Sequence, residues 1–182
     1  MDKPRTLCVM GTLDNKASQE VYRIKDSLES QGFTADAYEP HITFGIYTGL
    51  EEKSLIQWIG KIASQHKSFQ ICFNHFGFFP DARLCFLAPG SNRSLLALHS
   101  NIHKKYDEHC VDKGYLYSLK QNNWVPHITM AVVEPAQEAK ALSIFWESFS
   151  PFAAEIIRLK ITSSDMVEEV GVFELKAGMR HS

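Results

Sequence analysis

The amino-acid sequence predicts an α+β protein in which two similar lobes are fused around a cleft. Strand-like and helix-like segments alternate, their order repeats in the second half of the chain, and no linker separates the halves. With 182 residues, of which 45% are hydrophobic, the chain is long enough to build a core within one domain over 1–182. The lobe-forming repeats are expected at approximately 1–90 and 91–182, joined at a turn cluster over 88–92.

The first half opens with an alternating strand and an amphipathic helix. Val21, Ile24 and Leu28 recur at helical spacing, and Gly32 is typical of a residue that ends a helix. The following segments show period-two alternation and one more helical pattern. The expected elements are a strand over 4–12, a helix over 15–31, a strand over 40–47, a helix over 51–65, and strands over 68–78 and 83–88.

The second half repeats this order. Its expected elements are a helix over 93–112, a strand over 126–133, a helix over 135–149, and strands over 152–162 and 167–175. The last two strands begin 27 and 42 residues after His41 in the first half, and 25 and 40 residues after His127 in the second. These matched intervals favour one structural plan for both halves.

Two Pro-His-Ile-Thr tetrapeptides, at 40–43 and 126–129, stand at corresponding positions of this plan. Alternation along a strand places each histidine on the same face as the threonine two residues later, and the isoleucine on the core face. That face is expected to continue through Gly45 and Tyr47 in the first motif and through Ala131 in the second. Each leading proline lacks an N–H group and suits the start of a strand, so each histidine is expected near a strand end that ligands can reach.

Two imidazoles that face one cleft can cleave a phosphodiester without a metal ion. A pKa of about 6.5 lets His41 and His127 serve as base and acid near neutral pH, and each proton transfer contributes about 10² to 10⁴ in rate. Which histidine plays which role depends on the direction of the reaction. The hydroxyl groups of Thr43 and Thr129 are expected to hold the non-bridging phosphoryl oxygens. The predicted site therefore has two catalytic histidines, two substrate-binding threonines and no metal.

Composition and charge argue against several other classes. Nineteen basic and 21 acidic residues give a net charge of -2, which is too little positive charge for an extended nucleic-acid surface. The sequence shows no secretory leader and no apolar run that could span a membrane, so a cytoplasmic monomer is expected. The four cysteines are scattered and are expected to be reduced, half-buried and not catalytic.

A histidine pair on a predicted helix offers an alternative site. His99 and His103 are four residues apart, a spacing that suits two ligands of a metal ion. The His-Glu-x-x-His pattern is absent, and the sequence favours a solvated helix face. The phenylalanines from Phe73 to Phe79 are assigned to the core. Tyr47 either stacks on a base or ends a strand face, and it is left out of the predicted site.

Both motifs resemble those of the two-histidine (2H) phosphoesterase superfamily, which includes 2′-5′ RNA ligase-like (LigT-like) proteins and cyclic phosphodiesterases. The matching residues are His-Ile-Thr-Phe at 41–44 and His-Ile-Thr-Met at 127–130, the latter preceded by Trp-Val-Pro at 124–126. The resemblance covers nearly the whole chain. It implies a pseudo-twofold bilobal fold, with an antiparallel sheet flanked by helices in each lobe and both motifs in a central cleft. It also implies nucleotide or RNA-end substrates with 2′,3′-cyclic phosphates or 2′-5′ linkages, and no metal or cofactor.

Hydrolysis of a small phosphodiester is the leading hypothesis, and two alternatives stay open. One is a module that binds a nucleotide or RNA end without turnover, although two intact His-x-Thr motifs favour catalysis. The other is a 2′-5′ RNA ligase. Some RNA ligase-like members carry an arginine three residues after the second threonine, where this chain has Val132, so the ligase hypothesis is the weaker one.

Overall fold

The computed structural model of the protein describes residues 5–111, 115–163 and 168–178. These residues form eight strands, four α-helices and one short 3₁₀ turn at Asp107–His109. In chain order the strands and α-helices are β1 (Leu7–Leu13), α1 (Asn15–Ser30), β2 (Thr34–Ala35), β3 (His41–Tyr47), α2 (Glu52–Gln65), β4 (Phe69–Phe79), β5 (Leu84–Pro89), α3 (Arg93–His103), β6 (Ile128–Val132), α4 (Glu138–Ser148), β7 (Phe152–Ser163) and β8 (Glu169–Glu174).

The order of elements expected from the sequence is confirmed, with two differences. Strand β2 was not predicted, because a strand of two residues is too short to show a periodic pattern. It is a strand because it pairs with β6. Helix α3 ends at His103 instead of continuing to 112, since the chain turns there into the 3₁₀ segment. Residues 4, 112 and 167, at the ends of three predicted elements, lie outside the described residues.

Helix α1 shows how local sequence sets an element that later supports the site. The Asp14 carboxylate accepts a hydrogen bond from the backbone N–H of Ala17, which caps the helix start. At the other end Gly32 has φ of +87°, and the N–H of Phe33 donates to the carbonyl of Leu28. This left-handed glycine stops the helix as predicted, because residues with a Cβ rarely adopt that conformation.

The strands form one antiparallel sheet in the order β2-β6-β5-β4-β7-β1-β3, with β8 on the remaining part of β7. The fold is therefore α+β, with an antiparallel sheet flanked by helices. Strand β4 joins its two parts: residues 69–73 pair with β7, and residues 73–79 pair with β5. In this order, β6 and β7 from the second half of the chain lie between strands from the first half, so the sheet does not divide between 1–90 and 91–182. A duplicated plan within a single domain stays a prediction.

The sheet bends so that strands distant in its order approach each other. Four strands separate β3 from β6 in the order, yet the two contact one another. Helices α1 and α4 pack together and α1 covers β6 and β7, whereas α2 and α3 pack near β8 and β3. Within the described part of the chain, no helix is both long and apolar enough to cross a membrane. The bend brings the two strands that follow the predicted histidines to one place.

Candidate active site

The two histidines of the Pro-His-Ile-Thr motifs come together across the bend of the sheet. His41 is the first residue of β3, and His127 directly precedes β6. They are close enough that a positive charge on His41 lowers the pKa of His127. The two residues are only 8% and 6% exposed, respectively. The contact between β3 and β6 thus places these two buried residues near one another.

Each imidazole is held by a hydrogen bond to the backbone carbonyl two residues earlier in the chain. Nδ1 of His41 lies 2.6 Å from the carbonyl oxygen of Glu39, and Nδ1 of His127 lies 2.8 Å from that of Val125. A carbonyl oxygen can only accept, so Nδ1 carries the proton and donates in each ring. Nε2 is therefore the nitrogen left for proton transfer in both histidines.

A β-bulge follows the threonine in each motif. Along β3, Met10 pairs with Thr43 and Val9 with Gly45, which leaves Phe44 as the extra residue. Along β6, the register skips Met130 in the same way. A bulge reverses the alternation of faces beyond it. The predicted continuation of the site face through Gly45, Tyr47 and Ala131 is therefore wrong, and only each histidine and threonine keep that face.

Tyr47 shows the consequence of the first bulge most clearly. Its side chain is 1% exposed and belongs to the hydrophobic core, with its hydroxyl group 3.3 Å from Nδ1 of His103. A base in the cleft has no access to this buried ring. The stacking role considered from the sequence is excluded by this position, and the alternative of an aromatic residue on a buried strand face is confirmed.

The carbonyl groups of both bulged residues find partners outside their own motif. Nε2 of His103 donates to the carbonyl oxygen of Phe44 at 2.8 Å. The backbone N–H of Asp36 donates to the carbonyl oxygen of Met130 at 2.9 Å. A buried carbonyl without a partner is costly, so these two contacts stabilise the local shape that follows each threonine.

The prediction that His99 and His103 lie on a solvated face of α3 is wrong, because they are only 5% and 1% exposed. Nε2 of His99 lies 2.8 Å from the carbonyl oxygen of Tyr117, and the ring stacks on Trp124 at 3.9 Å. Nδ1 of His103 lies 2.8 Å from a carboxylate oxygen of Asp107. The segment that precedes the second motif covers these histidines, and a pattern read on one helix cannot reveal such a cover.

His127 lies among aromatic rings. The ring centres of Phe79, Phe86 and Tyr115 are 4.9, 5.6 and 5.3 Å from that of His127. Burial among these apolar groups disfavours the imidazolium form and lowers the pKa of His127 to about 4, with a further decrease from the charge of His41. The imidazole is consequently neutral over most of the physiological range.

His41 has a more charged environment. Burial lowers its pKa below 6.5, while the hydrogen bond to the Glu39 carbonyl and the negative charge of Asp36 act in the opposite direction. Lys25 adds to the decrease, and the Glu39 carboxylate opposes it. A backbone hydrogen bond opposes the effect of burial at both histidines, and the difference lies in the neighbouring charges. The carboxylates of Asp36 and Glu39 favour the protonated form of His41, whereas the charge of His41 disfavours the protonated form of His127.

The two threonines occupy unlike surroundings. Thr43 is 8% exposed, and its side chain forms a hydrogen bond with Tyr117. Burial raises the pKa of Tyr117, and this hydrogen bond opposes the increase. Thr129 is half-buried and lies opposite Phe86 in the register of β5 and β6. The structure thus brings all four predicted site residues to the same region of the fold, with the hydroxyl group of Thr43 already engaged by a tyrosine.

No metal centre is evident in residues 5–111, 115–163 and 168–178, since no three His, Cys, Asp or Glu side chains are grouped to hold an ion. All four cysteines are free thiols. Cys8 and Cys85 are buried, and burial raises the pKa of each to about 12, which makes them poor nucleophiles. Cys72 is exposed, in contrast to the half-buried position expected from the sequence.

A protein-family model matches most of the chain. Residues 13–168 match the family model of the 2′-5′ RNA ligase superfamily. This span includes both histidines and both threonines. The chain belongs to the 2′-5′ RNA ligase superfamily. A comparison with curated proteins found no match.

Solved structures related to this superfamily share the fold over nearly the whole chain. E. coli LigT in its apo form is 13% identical, with a TM-score of 0.68, and the match covers 96% of this chain and 99% of that chain. For the TT0787 protein of Thermus thermophilus the identity is 14%, the TM-score 0.64, and the coverage 97% and 100%. Kluyveromyces marxianus Usb1 is 16% identical, with a TM-score of 0.54 and coverage of 94% and 98%. At these identities the likeness establishes the fold.

Aromatic residues at the site of this superfamily member were not predicted from the sequence. Phe79 was assigned to the core, but it is half-buried and contacts His127. Tyr115 contacts the same ring, and Tyr117 reaches Thr43. A signal was present for the tyrosines, since the predicted helix and strand left a loop of more than 12 residues between them, and loops of that length are often functional.

Proposed function

We propose that this protein hydrolyses a small nucleotide phosphodiester without a metal ion, with His127 as general base and His41 as general acid. The observation that carries the proposal is the pair of neighbouring imidazoles, each held through Nδ1 by a backbone carbonyl, with Nε2 left for proton transfer. Two nitrogens arranged in this way match the two proton transfers of phosphodiester hydrolysis. Membership of the 2′-5′ RNA ligase superfamily supports action on phosphodiesters in general.

The roles of the histidines follow from their surroundings. Aromatic burial keeps His127 neutral, and a neutral imidazole can accept a proton from water. Asp36 and Glu39 favour the charged form of His41, and an anionic phosphodiester beside it adds to that effect. This assignment applies to hydrolysis; the roles exchange in the reverse direction.

For a nucleoside 2′,3′-cyclic phosphate, Nε2 of neutral His127 takes a proton from the attacking water, whose oxygen forms a bond to phosphorus. The bond from phosphorus to one ribose oxygen breaks, and protonated His41 gives its Nε2 proton to that oxygen. The product is a nucleoside monophosphate. Exchange of one proton with solvent at each histidine restores the starting state. The hydroxyl group of Thr129 donates a hydrogen bond to one non-bridging oxygen, where negative charge develops. The hydroxyl group of Thr43 donates to the other once it turns from Tyr117 to the substrate.

Nucleotide substrates are supported by the ligands of one structural neighbour. E. coli LigT has been crystallised with 3′-AMP, ATP, NADP+ and phosphate. By the resemblance of the motifs, the proposed substrates are nucleoside 2′,3′-cyclic phosphates and short 2′-5′-linked oligonucleotides. We place the reaction in the cytoplasm, in a monomer, and the four free cysteines fit a reducing compartment.

The test is turnover of a substrate panel in the presence of EDTA. Purified protein is incubated with each of the four nucleoside 2′,3′-cyclic phosphates and with 2′-5′-linked and 3′-5′-linked dinucleotides. Hydrolysis that persists in the chelator is expected for at least one 2′,3′-cyclic or 2′-5′ substrate. Saturable binding without product would instead identify a nucleotide-binding module. When a 2′,3′-cyclic phosphate and a dinucleotide with a free 5′-hydroxyl group are incubated together, their joining without net hydrolysis would identify a ligase.

Substitutions assign the activity to the two histidines. His41→Ala and His127→Ala should each decrease kcat/KM by about 10² to 10⁴ because each removes one proton transfer. The matched control is His75→Ala, which changes an exposed histidine of β4. Circular dichroism confirms that the variants are folded. Full activity in either motif variant would overturn the proposal.

A further inference from the structure

One segment connects the two motifs physically. Residues 34–41, the bridge segment, begin at β2, which pairs with β6 through Thr34 with Val132 and Ala35 with Ala131. The bridge segment then runs to His41 at the start of β3. Its first part is thus tied to the strand of the second motif, and its last residue is the histidine of the first. The conformation of this short segment therefore affects how the two motifs are placed relative to one another.

A buried lysine of α1 holds the middle of the bridge segment. Nζ of Lys25 donates to the carbonyl oxygen of Asp36 at 2.7 Å and to that of Tyr38 at 3.2 Å. It also lies 3.0 Å from a carboxylate oxygen of Asp36. The three donors of the ammonium group therefore have three acceptors, all within three consecutive residues of the bridge segment.

The position of Lys25 is unusual for a lysine, since the residue is 3% exposed. The other buried residues of α1 are the apolar Ala17, Val21, Ile24 and Leu28. Removal of an ammonium group from water costs free energy unless it is well paired, and an apolar side chain would suit this side of the helix for packing alone. The contacts with the bridge segment explain why a charged donor occupies this position.

The bridge segment in turn fixes the ring of His41. After the two carbonyls held by Lys25 comes Glu39, whose carbonyl oxygen accepts the Nδ1 hydrogen bond of His41 at 2.6 Å. The Glu39 carboxylate lies 3.1 Å from Nζ of Lys160 on β7, which holds the same residue from the other side. At its beginning, the N–H of Asp36 donates to the carbonyl of Met130, next to Thr129. Lys25 thus binds the part of the bridge segment between the contact with Met130 and the contact with His41.

We propose that Lys25 is a positioning residue: by holding the carbonyl groups of Asp36 and Tyr38 it fixes the bridge segment, and with it the orientation of His41 toward the second motif. In this role Lys25 acts through the backbone; separately, its charge lowers the pKa of His41, and Lys25→Arg keeps that charge. The kinetic consequence rests on the function proposed above, whereas the effect on the His41 ring does not.

The kinetic test uses Lys25→Met, which keeps the length of the side chain and removes all three donors. A reacting group displaced by about 1 Å can cost on the order of 10² in rate, so kcat is expected to fall by about ten- to a hundredfold, with KM changed less than about threefold. Lys25→Arg, which can still donate to backbone carbonyls, should restore part of the loss. Lys140→Met is the matched control, because Lys140 also donates to a backbone carbonyl, that of Gln31, away from the bridge segment.

Loss of stability is separated from loss of position by a second variant of α1. Leu28→Ala removes a buried side chain from the same helix and is expected to lower the thermal midpoint at least as much as Lys25→Met. At a temperature where both are fully folded, Leu28→Ala should keep kcat and Lys25→Met should not. Equal losses of kcat in the two variants would show a merely structural role and overturn the proposal.

The ring of His41 gives a readout that needs no turnover. Nitrogen-15 NMR distinguishes the two neutral tautomers of a histidine. In Lys25→Met, His41 should change from the Nδ1–H tautomer to a mixture of both tautomers. His127, whose Nδ1 is held by the Val125 carbonyl, should keep its tautomer. If the wild-type protein hydrolyses nothing, the proposed function fails, and this spectrum alone decides the role of Lys25: an unchanged His41 refutes it. Should Lys25→Met not fold, Lys25→Gln must show the same direction of change in both measurements, or the proposal is wrong.

Discussion

Nε2 of His103 lies 2.8 Å from the carbonyl oxygen of Phe44, the bulged residue that directly follows Thr43. A buried side chain of α3 thus stabilises the backbone of the first Pro-His-Ile-Thr motif. Its other ring nitrogen faces Asp107, which also binds the hydroxyl group of Ser118 and the N–H of Leu119. One histidine therefore connects the motif to the segment that covers the site.

Replacement of His103 by leucine should destabilise the protein and impair the first motif. The substitution leaves the carbonyl of Phe44 buried without a partner, a loss of about 1–3 kcal/mol in the free energy of unfolding. Urea unfolding measures this change, and kcat should fall with it. His109→Leu, at a half-buried position of the neighbouring 3₁₀ turn, is the control and should change both quantities little. Equal stability of His103→Leu and the wild type would contradict this account.

The rate should depend on pH in a bell-shaped manner. In the free enzyme, kcat/KM is expected to rise through pH about 4, where His127 loses its proton and becomes a base. The alkaline limb of kcat/KM should have its midpoint below pH 6.5, because the pKa of His41, the proposed acid, lies below its usual value. An anionic substrate favours protonated His41, so the alkaline limb of kcat should lie at higher pH than that of kcat/KM. Profiles of both parameters from about pH 3.5 to 9 test this order.

Removal of an aromatic neighbour should move the acid limb. Tyr115→Ala takes away one of the rings that bury His127 and admits water, so the pKa of His127 should increase from about 4 toward 6.5. Titration of the ring by NMR measures the pKa directly. Tyr106→Ala, which removes a ring that packs on Trp58 and His109, serves as the control. An unchanged pKa in Tyr115→Ala would mean that other groups keep the site apolar.

Stability should decrease as the solution is acidified. Burial lowers the pKa of both His99 and His127 to about 4, whereas an unfolded histidine has a pKa of about 6.5. Between these values the unfolded state binds protons that the native state does not, so the free energy of unfolding falls as pH decreases, by on the order of 3 kcal/mol for each ring. Urea unfolding at about pH 7 and pH 4.5 measures the difference. His99→Gln, which can still donate to the Tyr117 carbonyl, should show a smaller one.

Gly77 lies close to the ring of Phe86, which packs on His127. A Cβ added at Gly77 would meet Cζ of Phe86 at 2.6 Å, so Gly77→Ala must displace a ring that packs on His127. Overpacking of this kind costs about 1–3 kcal/mol, and kcat should fall as well. The double variant Gly77→Ala with Phe86→Leu provides space for the new methyl group. If it recovers neither stability nor activity, the contact is not the cause.

The order of elements could be predicted from the sequence because it depends on local patterns. Apolar spacing and Gly32 identified α1 and its end, and alternation identified the strand of each Pro-His-Ile-Thr motif. Strand β2 gave no such pattern, since a two-residue strand exists only through its pairing with β6. The extension of α3 beyond His103 was wrong for a similar reason: the turn there is stabilised by Asp107 and residues 118–119, which are distant in sequence.

The two histidines and two threonines proposed for the site could be identified from the sequence alone, because a histidine and a threonine two positions apart share a strand face whatever surrounds the strand. Features that depend on cross-strand register and on covering segments required the three-dimensional structure. It introduced bulges at Phe44 and Met130, buried His99 and His103, and surrounded His127 with aromatic rings. Alternation is a local property, whereas register, burial and pKa depend on partners that a bent sheet brings from distant parts of the chain.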